Sequence, residues 1–199
     1  MAARADRQAD RRRQILDAAV KVFARSGFHT SRVGDIAEEA GVAYGLVYHY
    51  FTSKEELLET IFRDTWTQML ERVREVEASG VDATEQVRRV TALLLRTWRR
   101  DPDLVRVLVR EVTRSQHVQR EIEEITQAMS TLERIIRRGQ ETGQLRPDLD
   151  PRLGAVVFYG ALDEILTGWV LGQLPDGDED IARAERNVVK LLVEGMRDR

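Results

Sequence analysis

The chain has 199 residues, 42% of them hydrophobic and 33% charged, with four prolines and no cysteine. That length is ample for a buried core in one or two domains, and the missing cysteines exclude disulfides and thiolate metal sites while fitting a reducing cytoplasm. The net charge of −3 hides an asymmetry, because residues 1–54 hold nine Lys/Arg against six Asp/Glu and the remainder 22 against 28. Phosphate contact needs local positive charge, not a basic chain, so only the amino-terminal part is suited to nucleic acid.

The opening MAARADRQADRRR lacks the apolar stretch of a signal peptide, and Met1 to about Asp6 are expected to be disordered. Arg7, Arg11, Arg12 and Arg13 lead into a first helix, either as its solvated start or as an arm for the minor groove, and Ile15, Leu16, Ala19, Val22 and Phe23 follow at helical spacing. Gly27 stops it. A short helix over Val33–Ala40 ends at Gly41, which can take the positive φ that terminates a helix. A second short helix follows from Tyr44 to Tyr50. Ile36, Ala37, Val42, Leu46 and Val47 can pack inward, leaving Tyr44, Gly45, Tyr48 and His49 outward. Two short helices across a tight turn, the second with an exposed polar and aromatic face, are the signature of a helix-turn-helix.

Ser53-Lys54-Glu55-Glu56 reads as a capping box that opens a long fourth helix to about Ala78, with Leu57, Leu58, Ile61, Phe62, Trp66, Leu70 and Val73 on its apolar stripe. Ser79-Gly80 ends that helix, and Asp82 to Glu85 cap the fifth. Asp101-Pro102 and Asp150-Pro151 put an acid and a proline where helix starts favour them, opening the sixth and eighth helices. The seventh is expected over about Val118 to Glu141, and the last over Glu179 to Met196 as one helix. No strand alternation occurs and no run reads as a membrane span. The expected fold is all-α with about nine helices: a three-helix helix-turn-helix domain over residues 1–52 and a helical ligand-binding and dimerisation domain over 53–199.

On the eighth helix Gly154, Ala161, Gly168 and Gly172 share one stripe, and Val156, Tyr159, Asp163, Leu166 and Val170 lie about half a turn away. A helix apolar on both sides must be covered on both, so a homodimer through helices eight and nine is expected, with Ile181, Val188, Leu192 and Met196 supplying the matching face. Tight packing inside one chain is the alternative.

Candidate roles follow from residue type. Tyr48 and His49 can hydrogen-bond phosphate oxygens, Lys54 can add a charge contact near a helix start, and Thr30, Ser31 and Arg32 surround the start of the second helix. Tyr44, Gly45 and Leu46 lead the presumed recognition helix, so base readout should come from there. In the carboxy-terminal part Phe62, Trp66, Trp98, Leu108, Val112, Tyr159 and Trp169 can line an apolar pocket, although aromatics at this spacing also make plain core. Asp163 amid apolar neighbours needs a partner such as Arg110 or Arg114, or it marks a polar spot in a cavity. Of the three histidines, His29, His49 and His117, none stands at metal spacing from another. The sequence carries none of the hydrolase, zinc-protease, dinucleotide or P-loop motifs, which argues against an enzyme. No metal and no cofactor are expected.

The stretch GFHTSRVGDIAEEAGVAYGLVYHYFTSKEELL resembles the DNA-binding domain of the TetR family of bacterial transcriptional regulators. The matching marks are Gly27-Phe28, Thr30, Asp35-Ile36-Ala37, Ala40-Gly41-Val42, Gly45, Tyr48, Tyr50-Phe51 and Ser53-Lys54-Glu55. Tyr44 departs from the family, where a small or basic residue is frequent, so the base code is not readable here. The stretch GQETGQLRPDLDPRLGAVVFYGALDEILTGWV is more loosely similar to fatty-acyl-CoA-responsive repressors of fatty acid degradation in that family, at Gly143, Asp150, Arg152-Leu153, Gly160, Asp163-Glu164 and Trp169. The resemblance implies a cytoplasmic homodimeric repressor on a palindromic DNA operator, released by a small lipophilic effector such as a long-chain acyl-CoA. It also implies that Arg106, Arg110 or Arg114 meets the effector's phosphates. Another hydrophobic effector, or a helical adaptor that binds no DNA, are the alternatives.

Overall fold

The structure is a computed structural model that describes residues 2–112 and 123–196. Among the described residues there are helices and no strands. In order they are α1 (Ala2–Ser26), α2 (Val33–Glu39), α3 (Tyr44–Tyr50), α4 (Lys54–Ala78), α5 (Ala83–Arg100), α6 (Pro102–Val112), α7 (Glu123–Glu141), α8 (Pro151–Val170) and α9 (Asp178–Val188). A wide turn, Val189–Val193, and a last helical turn, Glu194–Met196, close the chain. The first helix starts at Ala2, earlier than the sequence suggests. The expected start of α7 near Val118 lies outside the described residues, as do Arg114 and His117.

Two compact units divide the chain. One holds described residues 2–65 and 103–112, the other 66–102 and 123–196. The long α4 therefore begins in the first and ends in the second.

In the first unit the apolar stripe of α1 is buried as its spacing requires, at Ile15, Ala19, Val22 and Phe23, together with Ile36 and Ala37 of α2 and Val47 of α3. Phe23 and Phe28 meet edge to face at 5.3 Å, and Leu57, Leu58, Ile61 and Phe62 add the first turns of α4. Polar ties fix the angles between these helices. Gln14 Nε2 donates to Ala40 O at 2.6 Å, and Arg12 pairs with Asp64 at 3.3 Å while lying over the Phe51 ring at 5.4 Å. Gly41 takes φ +62° to end α2, which a side chain resists. The cap of α4 departs from the expected box. Ser53 Oγ accepts from Glu56 N at 3.1 Å, but the Glu56 carboxylate reaches one residue further back, to Thr52 N at 2.6 Å and Thr52 Oγ1 at 2.7 Å.

In the second unit α7 and α8 pack on one another and on α5, which also contacts α9. Asp82 and Asp150 cap α5 and α8 through Glu85 N at 2.8 Å and Leu153 N at 2.6 Å. Close approach depends on Gly139, where a Cβ would lie 2.7 Å from both Ala83 Cβ and Leu145 Cδ1. The carboxy-terminal helix is not continuous. Glu194 N donates to Val189 O, five residues back, and such a wide turn rotates the helical register. Leu191 is thereby 74% exposed while Met196 is buried, its carbonyl accepting from Arg146 N at 2.9 Å.

Two expectations about α8 and α9 are corrected. Part of the small-residue stripe serves its own unit: Gly168 leaves room for Leu174, whose Cδ1 would be 2.8 Å from a Cβ there, and Gly154 abuts Ile136. Likewise Ile181, Val188 and Met196 are buried at home and offer no face to a neighbour. The exposed apolar residues of α8 are instead Leu153, Val156 and Val157, joined just past its end by Leu171. Leu153, Val157 and the exposed Gly160 follow i, i+4, i+7 spacing, which puts them on one face. Nor does the sequence lack an apolar span, since α8 is long and apolar enough to cross a membrane. Its burial is one-sided, and Asp163 with Glu164 would sit deep in a bilayer at high cost, so a protein neighbour is the better cover.

Candidate nucleic-acid interface and effector residues

In the first unit Ile36, Ala37 and Val47 anchor α2 and α3, and the Gly41 turn sets α3 so that its other side faces solvent. Tyr44 is 56% and Tyr48 44% exposed, with rings edge to face at 5.2 Å. The Tyr44 and Tyr48 hydroxyls share a hydrogen bond at 3.3 Å, long for an O–H···O contact and readily exchanged for a phosphate oxygen. That contact, first among the causes, raises the Tyr48 pKa above its ordinary value, so the phenol remains a neutral donor. His49 is exposed beside Tyr50, ring to ring at 5.1 Å. Nothing lies within 4 Å of a Cβ built on Gly45. The backbone there is bare and open to close approach, while Leu46 next to it is half-buried and offers only part of its side chain.

The residues around the start of α2 divide into presented and occupied ones. Arg32 is exposed, its backbone N–H held by Asp35 Oδ2 at 2.8 Å, and its guanidinium has no ion-pair partner among the described residues. Thr30 is exposed, with its hydroxyl donating to Ser26 O. Ser31 is only 4% exposed and donates to Gly27 O at 2.5 Å, so it builds the turn and is not offered to a ligand. Lys54 also departs from its expected place. Its ammonium donates to Phe28 O at 2.7 Å, Ser31 O at 3.0 Å and His29 O at 3.3 Å, and lies 4.5 Å from the Phe28 ring centre. An ammonium has three N–H groups. All three are spent on carbonyls of the α1–α2 turn, so Lys54 holds the head together instead of reaching for phosphate.

The expected effector residues do not form one cluster. Phe62, Arg106, Leu108, Arg110 and the backbone of Val112 belong to the first unit, and Trp66, Trp98, Tyr159, Asp163 and Trp169 to the second. Phe62 is core. Arg106 pairs with Asp103 at 2.6 Å, and Arg110 donates to Ala24 O at 3.2 Å, so neither answers Asp163. Trp98 and Trp169 stack at 6.1 Å and 30°, both buried, with Trp169 Nε1 donating to Pro175 O at 3.2 Å. They are a satisfied core pair. Trp66 and Tyr159 differ. Their rings meet at 6.1 Å, and Trp66 Nε1 is buried with no hydrogen-bond partner. Tyr159 has its phenol pKa raised by burial first and by the Asp163 charge second. Asp163 in turn is raised by partial desolvation and by Glu164. It keeps an exposed surface.

The two surfaces that the sequence did not separate are the occupied cation of Lys54 and the exposed face of α8. The first has no signal in sequence, since partner carbonyls 23 to 26 residues away depend on the fold. The second does, in the i, i+4, i+7 spacing of Leu153, Val157 and Gly160.

Residues 15–61 match the family model described as bacterial regulatory proteins, tetR family, and residues 62–195 match that of a YsiA-like protein, C-terminal region. The chain is 33% identical over 188 residues to a fatty acid metabolism regulator protein of Bacillus subtilis, covering 94% of this chain and 95% of that one. Among solved structures it is similar to the transcriptional regulator FadR from Bacillus subtilis in complex with stearoyl-CoA, with TM-score 0.81 and 32% identity over 92% of this chain and 98% of that one. The fatty acid degradation regulator FadR from Bacillus halodurans gives TM-score 0.83 and 29% identity over 95% and 97%.

Proposed function

The chain belongs to the TetR family of bacterial regulators, and on that premise we propose that this ligand-responsive DNA-binding protein is a homodimeric repressor released from a palindromic operator by long-chain fatty acyl-CoA. It is a regulator, not an enzyme. The observation that carries the effector assignment is similarity along nearly the whole chain, second unit included, to a fatty acid metabolism regulator and to a FadR holding stearoyl-CoA. A regulator of this kind works in the cytoplasm, where its DNA and acyl-CoA pools lie.

For the DNA step, α3 enters the major groove. Tyr44, Tyr48 and His49 meet phosphates or base edges, bare Gly45 lets the helix sit deep, and Thr30 and Arg32 add contacts at the start of α2. Two such heads, joined through the exposed face of α8, occupy half-sites about 34–36 Å apart or a multiple of that. We place the functional boundary near the start of α4, with residues 1–52 as the reader and 53–199 as sensor and dimeriser. Effector release then requires only that the ligand bind the non-DNA form more tightly than the DNA form.

The reader is tested by Tyr48→Ala. Losing a phenol donor to phosphate should weaken operator binding by roughly 10-fold and leave thermal unfolding nearly unchanged, since the side chain packs on little besides Tyr44. A gel shift reads the first and calorimetry the second. Wild-type affinity in the variant would remove α3 from the DNA contact.

A further inference from the structure

The second unit buries a hydrogen-bond donor that the folded chain leaves unused. Trp66 Nε1 has lost its water and gained no acceptor, and a donor in that condition costs free energy until something fills it. The ring next to it is Tyr159, 6.1 Å away, and one turn further along α8 stands Asp163. No cation among the described residues pairs with Asp163, and Glu164 is its neighbour in sequence.

We propose that Trp66 Nε1 is the donor that reads the acyl carbonyl of the effector, with the Tyr159 hydroxyl as a second donor beside it and the Asp163 charge excluding a free carboxylate. The assignment rests on the acyl-CoA reading above and makes it more specific. An indole N–H donates and cannot accept, so its partner must bring a lone pair. Tyr159 stays an O–H donor at neutral pH because burial and the nearby carboxylate both resist its ionisation. Two neutral donors beside an unpaired negative charge favour a dipolar oxygen over an anion. A thioester carbonyl meets that demand. The carboxylate of a free fatty acid, brought towards Asp163 and Glu164 without a cation, does not.

The discriminating ligands are hexadecanoyl-CoA, the matching S-hexadecyl thioether of CoA, which keeps chain and nucleotide but lacks the carbonyl oxygen, and hexadecanoate. Binding to the full-length protein is measured by calorimetry for wild type, Trp66→Phe and Tyr159→Phe. Wild type should bind the thioester about tenfold more tightly than the thioether, the worth of one buried hydrogen bond, and should bind hexadecanoate more weakly than either. Trp66→Phe and Tyr159→Phe should each narrow the gap between thioester and thioether, Trp66→Phe the more. The ratio is the readout, because a packing defect weakens both ligands alike. If Trp66→Phe keeps the wild-type ratio, or wild type shows no preference, Trp66 does not read the carbonyl and the proposal is overturned while the acyl-CoA reading stands. If wild type binds no acyl-CoA, both fall.

Discussion

Val157→Glu should convert the protein from a dimer into a monomer and weaken binding to a two-half-site operator by roughly 100-fold or more. Val157 is 54% exposed on a face it shares with Leu153 and Gly160, with Val156 exposed next to it. Exposed apolar surface of that extent on one helix marks a protein interface. A carboxylate buried at its centre, opposite its own copy across a twofold axis, costs several kcal/mol unless paired. Each head alone is a weak binder, and linking two makes the second contact intramolecular, which is worth about 100-fold to 10,000-fold. Sedimentation at the concentrations of a binding assay reports the first effect and operator titration the second. A Val157→Glu protein that remained dimeric with full operator affinity would place the interface elsewhere.

Lys54→Met should loosen the head. It removes three contacts from an ammonium to the carbonyls of Phe28, His29 and Ser31, and the cation above the Phe28 ring. Hydrogen bonds to a charged group contribute about 1.5–3 kcal/mol each when shielded and less where water competes. The turn is partly open, so about 2–3 kcal/mol in all is expected. Amide exchange at Phe28 through Ser31 should accelerate, and operator binding should fall because α2 and α3 lose their seat. Lys54→Arg should rescue only part of this, since a planar fork cannot serve three carbonyls arranged around a point charge. If the methionine variant kept wild-type exchange and melting while operator affinity dropped, Lys54 would be the phosphate contact that its sequence position suggests.

That contrast shows what the chain discloses before it is folded. Local rules hold where partners are near in sequence. The stop at Gly41, the caps at Asp82 and Asp150, and the inward Ile36, Ala37 and Val47 all follow from spacing and residue type. They fail where the partner is remote. Lys54 is spent on carbonyls across the head, and Gly168 makes room for Leu174 past a turn instead of for a second chain. The wide turn at Val189–Val193 interrupts the last helix, and no periodicity count anticipates it. Asp163 reads as a core acid in want of an arginine; the structure gives Arg110 to Ala24 and leaves the carboxylate near Tyr159. The pocket aromatics separate for a similar reason. Trp98 and Trp169 find each other and Pro175, whereas Trp66 reaches Tyr159 with its N–H unanswered.

The central claim is that a fatty acyl-CoA held by the carboxy-terminal part drives the paired α3 helices off DNA. Its most direct test is fluorescence anisotropy of a labelled operator, selected by the protein itself from random duplexes, titrated with acyl-CoAs of increasing chain length and with CoA alone. The account predicts that anisotropy falls to the free-DNA value with long acyl chains and holds with CoA alone. Anisotropy that stays at its bound value for every chain length would contradict it.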